Sequence, residues 1–85
     1  MQELIAQKIK EALPDAQVEV FDPHHDGRHF IAQVISPSFE GLTLLERHRK
    51  VMDPLKELLK EMLHALSLRV YTPQEYEGAH EGDDE

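Results

Sequence analysis

The chain contains no cysteine and no tryptophan, and none of its apolar runs is long enough to span a membrane. Without cysteine it forms no disulfide and offers no thiolate to a metal, so any sulfur ligand would have to come from a partner. Residues 1–8 are amphipathic and include an acid, which does not fit a signal peptide. We therefore expect a soluble, cytoplasmic protein with no membrane partner.

Sequence motifs of catalysis are also missing. The four glycines form neither a phosphate-binding loop nor a dinucleotide-binding fingerprint. Ser36, Ser38 and Ser67 lack the strand–turn–helix setting of a nucleophile elbow. A chain of 85 residues has room for one modest core and for no cleft between domains. We therefore do not expect an enzyme.

Basic residues are absent from the C-terminal end. Residues 75–85 hold six of the seventeen acids and no lysine or arginine. The whole chain has a net charge of −8, whereas residues 1–74, with eleven acids and nine bases, have a net charge of only −2. An acidic chain disfavours non-specific binding of nucleic acid. We expect one domain over residues 1–77 and a disordered acidic tail over residues 78–85, in which His80 has no role.

The chain does contain alternating helix and strand patterns. Apolar residues at three- and four-residue spacing predict a first helix over residues 2–13. The alternation at Val18 and Val20 and the β-branched run 28–36 predict two strands, joined by the polar turn 22–27. These two strands should form an antiparallel hairpin.

A second helical pattern extends over residues 44–62, and Thr43 and Glu46 are spaced as a capping box at its start. The residues expected on its inward-facing stripe are Leu44, Leu45, His48, Val51, Met52, Leu55, Leu58, Leu59 and Met62. Pro54 lies inside this pattern and cannot donate a backbone hydrogen bond, so we expect a kink there or a new start capped by Asp53.

Alternation predicts a third strand over residues 64–70, and Thr72 and Glu75 are spaced as a second capping box before a short last helix. The third strand should lie parallel beside the second, because a helical crossover separates them. The order helix, strand, strand, helix, strand, helix predicts an α+β two-layer sandwich with a three-stranded mixed sheet and the helices on one face.

Six histidines are the main source of possible chemistry, because imidazole binds iron and zinc and titrates near neutral pH. His24, His25 and His29 lie in or beside the turn, where adjacent exposed histidines are often only solvated. By spacing alone, His64 is a half-buried residue that opens the third strand. His48 is expected to pack inward with the apolar stripe of the second helix.

The second helix also carries the only basic cluster of the sequence, formed by Arg47, Arg49 and Lys50. These side chains are expected to point away from the apolar stripe. Together with Arg28 they form the candidate surface for a partner or a nucleic acid. A solvated helix face is the default interpretation of the same pattern.

Four short blocks occur in a characteristic order and spacing: Ser36-Pro-Ser-Phe-Glu-Gly-Leu42, Glu46-Arg-His-Arg49, His64-Ala-Leu-Ser-Leu68 and Tyr71-Thr-Pro73. In these blocks the chain resembles the BolA-like family, and the resemblance covers about residues 1–77. It implies a K-homology (type II)-like fold with the element order αββαβα.

The resemblance also implies a function: an adaptor that forms a heterodimer with a monothiol glutaredoxin and shares a [2Fe–2S] cluster with it. The partner's cysteine and its bound glutathione would supply thiolates, and His64 would bind iron. The second ligand would come from the loop, as in the histidine-type branch, with His25 preferred, His24 next and His29 as the alternative. We expect no tightly bound cluster in the isolated protein, and homodimerisation stays open.

A transcription regulator that binds DNA through the K-homology-like surface is the alternative function. The chain lacks the Gly-x-x-Gly loop with which K-homology domains clamp a nucleic-acid backbone. A plain interaction module whose histidines bind adventitious zinc is a third interpretation.

Overall fold

The computed structural model describes residues 2–58, 60 and 65–82, the last four of them by their backbone alone. The elements, in order, are α1 (Gln2–Ala12), β1 (Gln17–Phe21), β2 (Phe30–Ile35), a 3₁₀ turn (Pro37–Phe39), α2 (Leu44–Met52), a second 3₁₀ turn (Asp53–Leu55), β3 (Leu66–Tyr71) and α3 (Pro73–Gly82). The predicted order αββαβα is therefore confirmed.

The three strands form one mixed sheet in the order β1-β2-β3. β1 pairs antiparallel with β2, in a register that places Phe21 opposite Ile31. β2 pairs parallel with β3, in a register that places Phe30 beside Leu66. Both predicted pairings are confirmed, and the start of β3 lies at the same end of the sheet as the start of β2.

One face of the sheet packs against the helices. Val18 and Val20 contact the core from this face, and the alternation predicted for β3 is confirmed because Ser67 and Arg69 are exposed on the opposite face. The core cluster between the two layers consists of Ile5, Ile9, Leu13, Ala16, Phe30, Ala32, Val34, Phe39, Val51, Leu55, Leu66 and Val70. The result is the predicted two-layer α+β sandwich.

The segment that follows β2 ties the end of α1 to the end of the sheet. Ser36 is fully buried and donates its hydroxyl hydrogen to Asp15 Oδ1 at 2.9 Å, and Ser38 donates to Asp15 Oδ2 at 2.7 Å. Phe39, which follows, is fully buried in the core. The conspicuous serine–proline block therefore has a structural role in this fold.

The second helix is shorter than predicted. α2 ends at Met52, and Asp53–Leu55 form a 3₁₀ turn that contains Pro54. The break at the proline is confirmed, and the 3₁₀ turn that follows it has no side-chain cap. Residues 59, 61 and 62 of the predicted helix lie outside the described residues. Pro54 has no N–H to continue the helical hydrogen bonds, and the tighter turn accommodates this loss.

The buried face of α2 also differs from the prediction. Leu44 and Leu45 are 65% and 60% exposed, and His48 is exposed, whereas Arg47 is only 7% exposed and faces inward with Val51. The assignments of His48 to the core and of Arg47 to the exposed basic surface are therefore wrong. An arginine can be buried here because the fold supplies acceptors for its N–H groups.

Those acceptors come from three different segments. The guanidinium of Arg47 makes a two-pronged ion pair with Glu75, with Nη2 and Oε2 3.0 Å apart. Its Nε donates to the Leu42 carbonyl at 3.1 Å, and Nη1 donates to the Val70 carbonyl at 3.5 Å. The guanidinium carbon also lies 5.8 Å from the centre of the Phe39 ring. Arg47 thus connects α2 to β3 and to the first turn of α3.

Both predicted capping boxes are present. Thr43 accepts from the Glu46 N–H and Glu46 accepts from the Thr43 N–H, at 3.2 and 2.8 Å. Thr72 and Glu75 exchange the same pair of bonds at the start of α3, at 3.2 and 3.1 Å. α3 extends to Gly82, so the expected boundary after residue 77 falls inside this helix.

Across residues 2–58, 60 and 65–82, no helix is long and apolar enough to cross a membrane.

The Arg47–Glu75 pair predicts a specific acid sensitivity. Hydrogen bonds from Arg47, and then from the Thr72 N–H, lower the pKa of Glu75 from 4.5 to about 2. The pKa of Glu75 is lower in the folded state than in the unfolded state. The ionised Glu75 carboxylate therefore contributes its full share of stability above about pH 4.5, and this share is lost as the pH falls towards 2. In urea unfolding from pH 7 to pH 2.5, Glu75→Gln should therefore reduce the free energy of unfolding most at pH 7 and converge on the wild type in acid.

Glu77→Gln is the matched control, since it removes one carboxylate from the same helix and Glu77 makes no ion pair with any described residue. An equal and pH-independent effect of the two substitutions would contradict the role assigned to Glu75.

Candidate functional site

The histidine-bearing segment connects β1 to β2 at one end of the sheet. We call residues 22–29 the histidine loop. The strand that follows it begins at Phe30, which pairs with Leu66, the first residue of β3. Because β2 and β3 are parallel, the chain enters both strands at this end. The histidine loop and the entry to β3 are therefore neighbours.

Asp22 organises the first half of the loop through backbone contacts. Its carboxylate accepts from the Asp26 N–H at 3.3 Å and from the Gly27 N–H at 3.0 Å, and its carbonyl accepts from the His25 N–H at 3.1 Å. His25 has a φ of +53° and Gly27 a φ of +66°. His25 is thus a non-glycine residue in the left-handed region, a conformation that is uncommon and is often found at functional sites.

Asp26 organises the second half and fixes one imidazole. Its Oδ1 accepts from the backbone N–H groups of Arg28 and His29 at 2.9 and 3.2 Å, and its Oδ2 lies 3.0 Å from His29 Nδ1. The hydrogen bond from the Arg28 N–H, followed by that from the His29 ring, holds the pKa of Asp26 well below its usual range. Asp26 is therefore ionised near neutral pH, and its Oδ2 accepts a hydrogen bond from the Nδ1–H of His29.

The loop brings two of its three histidines into ring contact. The centres of the His24 and His29 rings are 5.4 Å apart, and the planes meet edge to face at 85°. His25 instead lines a groove on the sheet face, together with Phe21 and Ile31. The sequence had grouped the three histidines, and the structure separates them into a pair and a single residue.

His64 and the side chain of His80 lie outside the described residues. Among the residues that are described, no three histidine, aspartate or glutamate side chains are grouped so that they could hold a metal ion. A metal or cluster bound at the histidine loop would therefore need donors from elsewhere.

The donor chemistry of the loop nevertheless fits a metal. His29 donates from Nδ1 to a carboxylate, which leaves Nε2 as the ring nitrogen with a free lone pair. Metal-binding histidines commonly make this second contact, because it fixes the tautomer and orients the ring. The His29 side chain is 57% exposed, so its ring is accessible to an external group.

A groove next to the loop was not predicted. We call it the sheet-face groove; its volume is about 560 Å³ and its lining residues are Gln2, Phe21, Asp22, Pro23, His25, Ile31 and Arg69. Phe21, Ile31 and Arg69 place it on the face of the sheet opposite the core, which we call the open face, and Gln2 of α1 borders it. The sequence contained a signal for it, since Phe21 is out of phase with Val18 and Val20 and Arg69 occupies an exposed position in the alternation of β3.

The four predicted basic residues do not form one surface. Arg47 is buried in its ion pair, whereas Arg49 and Lys50 are exposed on α2. Arg28 is exposed in the histidine loop, at the entry to β2, whereas α2 begins after β2 has ended. The remaining cluster on α2 is therefore limited to Arg49 and Lys50.

Comparison with known proteins adds a family match. Residues 8–75 match the model of the family described as "BolA-like protein". A curated relative, the "DNA-binding transcriptional regulator BolA" of Escherichia coli (strain K12), is 34% identical over 85 residues, which cover 92% of this chain and 81% of that protein.

Solved structures agree with this match. A bolA protein homologue from Coxiella burnetii is similar with a TM-score of 0.75 and 42% identity, over 91% of this chain and 96% of that chain. The BolA domain of SufE1 from Arabidopsis thaliana is similar with a TM-score of 0.72 and 35% identity, over 87% and 93%.

The Asp26–His29 contact predicts the tautomer of His29. Long-range ¹H–¹⁵N spectra of the neutral imidazole should show His29 protonated at Nδ1. Asp26→Ser should abolish this preference, because serine can still accept from the backbone N–H groups but has no second oxygen for the ring. His24 provides the internal control. A His29 ring protonated at Nε2 in the wild type would contradict the geometry.

Proposed function

Because the chain belongs to the BolA-like protein family, as its sequence blocks indicated, we propose that it is an adaptor that pairs with a monothiol glutaredoxin and co-ligates a [2Fe–2S] cluster with it. The partner's cysteine and its glutathione would supply the thiolates that this cysteine-free chain lacks. Histidine ligation in place of thiolate raises the potential of such a cluster. This chain's part is to supply and orient imidazoles.

The observation that carries the proposal is the pairing of Phe30 with Leu66. His29 directly precedes Phe30, and His64 precedes Leu66 by two residues in the sequence. Two residues of extended chain span at most about 7 Å. The parallel register therefore supports a joint site for two imidazoles that are distant in sequence.

We propose His29 as the loop ligand, ahead of His25 and His24. The sequence had favoured His25, but its placement in the sheet-face groove gives it no carboxylate partner among the described contacts. His29 has its ring held by Asp26 and a free Nε2, and its side chain is exposed. A preoriented ring binds a metal with less loss of conformational entropy.

Cluster assembly with a monothiol glutaredoxin and glutathione tests this assignment. We expect a 1:1 complex whose visible circular dichroism differs from that of the glutaredoxin alone. His29→Ala and His64→Ala should each return the spectrum to that of the glutaredoxin alone, whereas His25→Ala, at a glutaredoxin concentration that saturates binding, should leave the spectrum of the complex unchanged.

The His25→Ala variant serves as the matched control, because it removes an imidazole from the same loop. Loss of the spectrum in His25→Ala but not in His29→Ala would reverse the ligand assignment. A complex that forms with no cluster spectrum in the wild type would contradict the co-ligation.

DNA binding is the second candidate function, and the name of the Escherichia coli relative, a DNA-binding transcriptional regulator, favours it. Arg49 and Lys50 are exposed neighbouring cations on α2. A surface with two cations would neutralise about two phosphates, which limits its affinity.

Salt dependence provides the test. If α2 contacts a DNA duplex through these two residues, the logarithm of the association constant should fall with the logarithm of salt concentration with a slope of about −1.8. The double substitution of Arg49 and Lys50 by alanine should abolish this slope. The same double substitution at the exposed Lys10 and Lys60 is the control. An unchanged slope in the α2 variant would place the DNA elsewhere.

A further inference from the structure

The floor of the sheet-face groove is an apolar pair, of which Phe21 is exposed and Ile31 is half-buried. Phe21 and Ile31 lie directly opposite each other in the antiparallel register, so their side chains are neighbours on one face. Neither belongs to the core that the helices cover, and Phe21 is 41% exposed. A paired apolar floor of this kind is more typical of a binding surface than isolated exposed residues are.

Arg69 adds an unpaired positive charge to the groove. It lies on β3 beside Gln33, on the open face, and it makes no ion pair with a residue that the structure describes. Glu19, the acid in the same cross-strand row, is two strand spacings away, or about 10 Å. In a chain with a net charge of −8, a free guanidinium beside an apolar floor favours an occupant that carries a carboxylate.

The groove is continuous with the histidine loop. Asp22, Pro23 and His25 form its wall on that side. The Asp22 carboxylate is engaged with the N–H groups of Asp26 and Gly27, which fixes the shape of this wall. A protein that reaches the loop to share a ligand site would therefore also cover the groove.

From these observations we infer that the sheet-face groove is a docking surface for the glutaredoxin partner, which places an apolar side chain on Phe21 and Ile31 and a neighbouring carboxylate on Arg69. This inference rests on the proposed function, since the partner is the same protein. It adds a protein–protein contact that does not need the cluster. The apo proteins should therefore already associate through it.

Binding of apo-glutaredoxin by isothermal titration calorimetry tests the inference without the cluster. Arg69→Glu should weaken binding by about tenfold or more, because it places a like charge at the contact, and Phe21→Ala should weaken it by about fivefold to tenfold. Added salt should weaken wild-type binding more than binding by Arg69→Gln.

Two controls match these substitutions. Lys10→Glu makes the same charge change on an exposed site of α1, and Leu44→Ala truncates an apolar side chain that is 65% exposed at the start of α2. Each should bind within twofold of the wild type. Circular dichroism of every variant reports whether the fold is retained, and Arg69→Gln replaces Arg69→Glu if the latter unfolds.

The outcomes separate the two proposals. If the groove variants and the wild type bind apo-glutaredoxin equally, the docking inference is overturned while the proposed adaptor function stands. If the wild type binds no glutaredoxin with or without the cluster, the proposed function fails. If Phe21→Ala and Arg69→Glu instead abolish self-association of this chain and leave glutaredoxin binding intact, the groove is a homodimer contact and the inference is overturned.

Discussion

The fold depends on one buried guanidinium. Arg47 accounts for the position of α3, because its two-pronged ion pair holds Glu75 in the first turn of that helix. The same carboxylate accepts from the Thr72 N–H, so the ion pair and the capping box share one group. Contacts with the Leu42 and Val70 carbonyls extend the connection to the loop before α2 and to β3. A buried charge with all these partners specifies one arrangement of the elements, whereas an apolar residue there could pack in several.

The sequence predicted the elements whose signals are local. Alternation at Val18 and Val20, the two capping boxes and the break at Pro54 each depend on residues within a few positions of one another, and each was confirmed. The orientation of α2 was not predicted. Leu44 and Leu45 are apolar and Arg47 is charged, so local reasoning placed the leucines inside. The partner that reverses this, Glu75, is 28 residues away in the sequence, and only the tertiary fold brings it near.

In the candidate site, too, the features with local sequence signals were predicted and those that depend on the three-dimensional fold were not. The sequence showed which histidines are present, but it did not show that their side chains have different surroundings. That difference depends on the conformation of one turn. The positive φ of His25 and the contact of Asp26 with His29 place the rings in different surroundings. The sheet-face groove was missed for a similar reason. Phe21 and Arg69 are on different edge strands, and their proximity follows only from the register of both with β2.

The parallel pairing of β2 with β3 has a consequence for the order of folding. The histidine loop closes a hairpin across eight residues, 22–29, whereas β3 joins β2 across thirty, 36–65. Chain entropy makes the second closure costlier by about 1 kcal/mol, and contacts of such long range form slowly. The loop can thus take its shape early, while the neighbouring entry to β3 exists only once the crossover is complete. Any ligand that contacts both segments would therefore bind the fully folded protein and not its folding intermediates.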